Sequence, residues 1–224
     1  MNIDWTPVWL TLKLATTASV LLLLLGTPLA WWLSRSRSRL VVPIEVLVAL
    51  PLVLPPTVLG FYLLVLLGPS GPIGFAWERL SGGRLVFSFG GLLLGSLIHS
   101  LPFVVQPLVG AFRGIDNKLL EAAAVHGAAP FDRFVNVAVP LCRPAFLAAG
   151  TLGFAHVIGE FGVVLMIGGN IRGETELLSI AIYDRVEMLD YAQAHVLAAG
   201  MLAFSALVLM VVYWTNRRLS LVGP

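Results

Sequence analysis

The chain has 224 residues, of which 58% are hydrophobic and 12% charged. Its mean hydropathy of +0.92 lies well outside the soluble globular range and places it in a lipid bilayer. The net charge of +2, with basic residues at segment ends, argues against a nucleic-acid partner, and the single cysteine, Cys142, excludes an internal disulfide or a cysteine metal cluster.

The N-terminal Met1-Asn2-Ile3-Asp4-Trp5 lacks the basic region of a cleavable signal peptide, so the first apolar run reads as a retained span. A span needs about 20 mostly apolar residues. Five segments qualify, at about 10–33, 44–67, 86–110, 145–168 and 192–215. Backbone groups in lipid must be satisfied internally, so these are helices. The expected fold is an all-α polytopic membrane protein of five transmembrane helices, with residues 1–224 as one transmembrane domain. Trp5 and Trp9 before the first span and Trp31-Trp32 at its end read as aromatic belts, with Lys13 snorkelling near the first of them.

The second span contains Pro51, Pro55 and Pro56, and the third Pro102 and Pro107. Proline removes a backbone donor and kinks a helix, and broken helices line pathways in transporters. Pro55, Pro56 and the adjacent Thr57 are therefore candidate pathway or gate residues, with plain packing as the competing reading. Gly90-Gly91 and Gly95 in the third span read as close helix packing.

Lysine and arginine bias sets the orientation. With the N-terminus outside, the inner segments hold Arg35, Arg37, Arg39, Arg113, Lys118, Arg133, Arg143, Arg217 and Arg218, against Arg79, Arg84, Arg172 and Arg185 outside. The expectation is N-out and C-in, with residues 111–144 in the cytoplasm. The outer stretch from Glu174 to Asp190 is acidic and reads either as a contact for a basic partner surface or as a solvated loop.

The loop at about 115–140 is a charge-bearing island between apolar runs. Asp116 or Asn117 suits the N-cap of a helix through Lys118-Leu119-Leu120-Glu121-Ala122-Ala123-Ala124. Its alanines give high helix propensity and a slim face, and Gly127 suits the left-handed position that ends it. Pro130 opens a short helix through Phe134, which Pro140 and Pro144 are expected to stop. An amphipathic connector on the membrane surface is the alternative. The few large apolar side chains on the first helix favour docking against another protein.

His99, His156 and Glu160 fall inside spans, where ionisable groups are costly. His156 and Glu160 are four apart and share a helical face, so they could pair. A metal site needs three or four ligands, and no further cluster accompanies them, so none is expected. A proton relay would suit an ion-driven carrier, and a buried helix-to-helix hydrogen bond is the simpler reading. No G-x-x-x-x-G-K-[ST], H-E-x-x-H or G-x-S-x-G occurs. No catalytic residues are expected, and nucleotide hydrolysis would have to come from a partner.

The spacing Glu121-Ala122-Ala123, three residues, Gly127, nine residues, Val137, one residue, Val139-Pro140 resembles the EAA signature of ABC importer permeases, with valines where that pattern has Ile and Leu. Leu50 to Gly60, Gly159-Glu160-Phe161-Gly162 and Gly169 to Thr175 are similar to segments of molybdate permeases. The wider resemblance covers about 8–216, taken as the permease domain. It implies that the 115–140 loop is a coupling helix docking on a separate ATPase, with Glu121, Ala122, Ala123, Gly127 and Pro140 as contact and turn residues. It also implies that Glu160 and Phe161 join Pro55, Pro56 and Thr57 near the pathway. A carboxylate repels a divalent oxyanion, so Glu160 is expected to hold a gate or orient a neighbour rather than bind substrate. The implied partners are two ATPase subunits that use ATP, a periplasmic or surface-anchored molybdate-binding protein, a second copy of the chain and the bilayer. No cofactor is expected on this chain, and the bacterial cytoplasmic membrane is the implied location. Sulfate or tungstate uptake in the same class, a proton-coupled carrier and an integral-membrane enzyme are the alternatives.

Overall fold

The computed structural model describes residues 4–220, with side chains except those of 213 and 215–220. Met1, Asn2 and Ile3 of the N-terminal reading, and the side chains of Arg217 and Arg218 from the charge count, lie outside the described residues.

Among the described residues all regular structure is helical. Helices α1 (Thr6–Arg35), α2 (Val41–Val53), α3 (Pro56–Leu67), α4 (Pro72–Ser81) and α5 (Phe89–Arg113) precede the central loop. The loop holds α6 (Asn117–Val125) and α7 (Pro130–Arg133), then a π-helical segment at Phe134–Ala138 and α8 (Val139–Leu141). Helices α9 (Arg143–Gly159), α10 (Gly162–Gly168), α11 (Leu178–Glu187) and α12 (Tyr191–Ser220) complete the chain.

Three helices are long and apolar enough to cross a membrane alone: α1, α5 and the Tyr191–Val212 part of α12. Counting two bent pairs as spans brings the number to five. The expected second span, 44–67, is one of these pairs: α2 and α3 meet at 116°. The cause is the diproline. A proline pushes the residue before it out of the α region, and both Leu54 (ψ 137°) and Pro55 (ψ 135°) are extended. The expected fourth span, 145–168, also fails as one rod. Helix α9 ends at Gly159, Glu160 is extended (ψ 136°), and the chain restarts as the seven-residue α10. The partner of α9 in the second bent pair is the Pro130–Leu141 segment, at 76°. By contrast α5 continues as one helix through Pro102 and Pro107.

The core forms where α1 lies against α5 and α9. Leu14, Ala15, Ala18, Leu22, Gly26, Ala30 and Leu33 recur at helical spacing and are buried on α1. Small residues allow backbones to approach, which is how helices associate in lipid. A Cβ on Gly153 would sit 2.8 Å from Val104, and one on Gly95 would sit 2.7 Å from Ile167. Gly91 is crowded by the Leu85 carbonyl, whereas Gly90 has ordinary room, so of Gly90, Gly91 and Gly95 only the last two are packing residues.

The belt reading needs one correction. Trp32 is exposed, but Trp31 turns inward, with ring centroids 5.2 Å from Phe112 and 5.1 Å from Phe134. One face of α1 meets the core and the next residue round meets lipid, so adjacent tryptophans separate. Lys13 places its ammonium 4.5 Å above the Phe89 ring, a cation–π contact.

Candidate functional site

The two breaks abut. Gly162, the first residue of α10, lies so close to Pro56, the first of α3, that a Cβ on it would be 2.9 Å from Pro56 Cβ. Gly60 approaches Met166 with the same intimacy, 2.9 Å from Cβ to Cβ. Helices α3 and α10 are thereby held as a unit against α5. Around the junction opens a cavity of about 530 Å³, lined by Pro56, Thr57, His99, Ala155, His156, Gly159, Glu160, Phe161 and Gly162. Four of the five sequence-predicted pathway residues therefore meet in one place. Pro55 is set back as the residue preceding α3, where its carbonyl accepts from Val58 and Leu59.

The His156–Glu160 pair that their spacing would allow does not form. Pairing four residues apart requires a continuous helix, and the helix has ended at Gly159. Glu160 instead reaches α5, where His99 Nδ1 lies 3.1 Å from its Oε1. His156 Nδ1 lies 2.9 Å from Ser100 Oγ, with the direction of donation set by the ring tautomer. The His156 ring stacks on Phe103 at 3.9 Å and meets His99 edge-on at 4.7 Å. Glu160 is 4% exposed, and its Oε2 finds no hydrogen-bond partner among the described residues. The extended turn has its own support, because Ser179 Oγ of α11 donates to the Glu160 carbonyl (2.6 Å). Phe161 leans on Tyr183 with centroids 5.0 Å apart.

The cavity thus combines hydroxyl and imidazole donors with one pinned carboxylate. Thr57 offers a hydroxyl and His156 an imidazole to an oxyanion, whereas His99 Nδ1 is engaged with Glu160. Glu160 opposes a negative ion strongly in a low dielectric, unless His99 keeps it turned aside. Among the described residues no three His, Cys, Asp or Glu side chains gather as a metal ion would require. Ser100 and Phe103 escaped the sequence reading because neither type stands out in an apolar helix. His99 and His156 carried a signal, their ionisable rings at membrane depth, but not their arrangement.

The loop is the second element. Asp116 caps α6, its carboxylate accepting from Lys118 N at 3.0 Å. At the other end Gly127 takes φ +87°, Gly127 N–H bonds Ala124 O, and Ala128 N–H bonds Ala123 O, a Schellman closure. Both ends of the predicted helix are therefore as the sequence indicated. Glu121, Ala122 and Gly127 are exposed and Ala123 is partly so. Phe131 is 76% and Val125 88% exposed, so the loop presents apolar groups outward.

The second loop helix runs on past Phe134 to Leu141 and stops at Cys142, between Pro140 and Pro144, where a 76° bend leads into α9; Pro144 sits in the first turn of α9, where a missing N–H costs nothing. The π-helical segment just before Pro140 supplies the slack. The loop is fastened at its base. Arg35 at the end of α1 donates to the Phe112 carbonyl (2.6 Å) and to Asn117 Oδ1, and Trp31, Phe112, Phe134 and Phe146 form one aromatic cluster. Arg113 and Glu45 form an ion pair beside it.

At the far end of the bundle the acidic 174–190 stretch is partly spent internally. Asp184 accepts from Asn170, and Tyr183 donates to Glu187. Glu176 is buried beside Arg172, with 3.9 Å between Oε2 and Nε, and its burial raises its pKa above the usual carboxylate value.

Broken apolar helices around a polar cavity, with a fastened and capped loop at one end, describe a transport subunit. The family of binding-protein-dependent transport system inner membrane components matches residues 23–221. The chain belongs to this family. It is 56% identical over 214 residues to the molybdenum transport system permease protein ModB of Azotobacter vinelandii, covering 96% of this chain and 95% of that protein. It is 37% identical over 179 residues to the putative molybdenum transport system permease protein YvgM of Bacillus subtilis, covering 80% and 79%. The permease also shares its fold with a subunit of the MetNI methionine ABC transporter, at a TM-score of 0.73 and 16% identity, covering 95% of this chain and 94% of that one.

Proposed function

We propose that this permease forms the transmembrane path for molybdate in an ATP-driven importer of the bacterial cytoplasmic membrane. The observation that carries the reading is the polar cavity at the abutting breaks, in a chain 56% identical to a molybdenum permease. The permease acts as a homodimer, each copy contributing one transmembrane domain and presenting its cavity to the path. Two ATPase subunits supply the hydrolysis, and a binding protein delivers the oxyanion on the N-terminal side.

In this reading the 115–140 loop is the cytoplasmic docking element. Glu121, Ala122 and Ala123 form the slim contact face, Gly127 sets the turn, and exposed Val125 and Phe131 enter an apolar groove of the ATPase. The anion passes Thr57 and His156 without tight binding, which would hinder release. His99 holds Glu160 so that its charge neither meets the anion nor lies unpaired.

The test is reconstitution of the permease with its ATPase and binding protein in proteoliposomes, comparing hydrolysis and uptake with molybdate, tungstate and sulfate. The proposal expects no uptake without the ATPase and the strongest stimulation by molybdate. Equal stimulation by all three anions would remove the substrate assignment, and uptake driven by a pH gradient without ATP would remove the importer class.

A further inference from the structure

A second cavity lies away from the pathway. Helix α12 stands off the bundle, and between it, α1, α9 and α11 is an apolar crevice of about 160 Å³ whose walls include Trp5, Thr11, Ile158, Gly200 and Phe204. The Thr11 hydroxyl offers nothing to water there, because it donates to the Pro7 carbonyl (2.7 Å) and accepts from Leu178 N–H (2.8 Å). An apolar space of this size stays dry and accepts hydrocarbon instead. In a bilayer the hydrocarbon at hand is an acyl chain.

A polar pocket adjoins the crevice at its mouth. Val196 and Leu197 line both, and the mouth adds Asp4, Glu176, Arg185 and Gln193. Glu176 is only 7% exposed, yet its Oε2 has no hydrogen-bond partner among the described residues and Arg172 Nε stays 3.9 Å away. The mouth therefore carries a cation and two carboxylates side by side, one carboxylate buried and short of a donor. An anionic headgroup would satisfy Arg185 and be repelled by the carboxylates. A headgroup with both a phosphate and an ammonium satisfies all of them.

We propose that this crevice is a binding site for one zwitterionic, amine-bearing phospholipid of the leaflet on the N-terminal side, its acyl chain lying against Gly200 and Phe204 and its headgroup spanning Arg185 and Glu176. The lipid phosphate accepts from Arg185 and the Gln193 amide, and its ammonium donates to Glu176 and Asp4. The bound lipid fills the gap that would otherwise leave α12 in contact with the bundle along one edge only.

The experiment is native mass spectrometry of the intact transporter assembly purified in mild detergent, after exchange into phosphatidylethanolamine or phosphatidylglycerol. Wild type should retain phosphatidylethanolamine in preference. A Cβ on Gly200 meets nothing within 4 Å, so Gly200→Phe fills the crevice without a backbone clash. Excluding even two methylenes should weaken retention about tenfold. Glu176→Gln should erase the preference for phosphatidylethanolamine while leaving an acyl-chain-dependent mass bound. Equal retention of both lipids by wild type overturns the proposal, as does undiminished phosphatidylethanolamine on Gly200→Phe. Loss of a chain-to-chain contact instead of a lipid mass on Gly200→Phe would mean that a second copy covers the crevice, and also overturns it.

Discussion

Removing the His99 imidazole should be the most damaging single change at the cavity, and the structure says by how much. The Glu160 side chain is 1% exposed and that of His99 9%, so the carboxylate is shielded from the cavity that both residues border. His99→Ala leaves both Glu160 oxygens without a hydrogen-bond partner, and removing one partner of a buried pair costs about 3–5 kcal/mol. For a chain of this length that corresponds to a fall of about 10 °C in melting temperature. Glu160→Gln keeps a hydrogen-bonding group at the site without the charge and should cost only about 1 kcal/mol. The double variant, His99→Ala with Glu160→Gln, should therefore melt above His99→Ala alone, because no buried charge is stranded. Fluorescence-monitored unfolding of the purified transporter in one detergent measures all four proteins, and the cycle isolates the coupling. If His99→Ala melts within about 2 °C of wild type, or if the two losses simply add, the pinned-carboxylate reasoning is wrong.

Three further outcomes are expected. Gly127→Val, at φ +87°, should strain the α6 closure by about 1–2 kcal/mol and lower uptake per ATP hydrolysed, while Gly127→Asn largely rescues it; identical ratios for both variants and wild type would end the turn argument. Gly162→Ala pushes a methyl against Pro56 at 2.9 Å and should cost about 1–3 kcal/mol, whereas Gly159→Ala meets nothing within 4 Å; equal melting temperatures for the two would show that the breaks are not locked together. Glu176 has a raised pKa because burial disfavours its charge, so its contribution to stability is complete at pH below its ordinary value of 4.5 and is lost as pH climbs through the raised value. Glu176→Gln should thus melt higher than wild type at pH 8 and match it at pH 4; a gap that is the same at both pH values would contradict the burial account.

Much of this was readable in the residues, and the failures share one cause. Apolar runs of twenty residues report that a chain enters the membrane, but not whether it crosses as one rod. Pro55-Pro56 did mark a break, because proline acts on its immediate neighbours and a local rule suffices. No such signal marks the break at Glu160, and the rule that residues four apart share a face was applied across a point where the helix stops. Its true partner, His99, is 61 residues away, a contact set by how α5 and α9 pack. The loop was legible for the opposite reason. Asp116, the alanines and Gly127 act within a few residues of one another, so cap, helix and closure follow from the sequence alone. Pro140 and Pro144 bracket the bend at Cys142, again a local effect, although the helix before it extends beyond Phe134 to Leu141.

The cavity and the loop are joined by two struts. His99 and Ser100 lie 14 and 13 residues before Arg113 on α5, and His156 lies 13 residues after Arg143 on α9, so each helix places a cavity residue roughly 20 Å from its loop end. Neither strut is interrupted between those points, in spite of Pro102 and Pro107. At the loop end Phe112, Phe134 and Phe146 clamp α5, the π-helical segment and α9 to one another. On the α5 side a push on the loop therefore meets no interruption before the cavity, whereas on the α9 side it crosses the π-helical segment and the 76° bend at Cys142. Further soft elements lie at Leu54–Pro55 and at Glu160–Phe161, where backbone conformation changes within two residues. Hinges are a few terminal residues that absorb large torsional changes; here Glu160–Phe161 sits on the wall of the polar cavity and Leu54–Pro55 immediately precedes the wall residues Pro56 and Thr57. A side-chain hydrogen bond, between His99 of α5 and Glu160, ties a strut to the second hinge. That bond is placed where tilting of the struts would be converted into movement of the cavity wall.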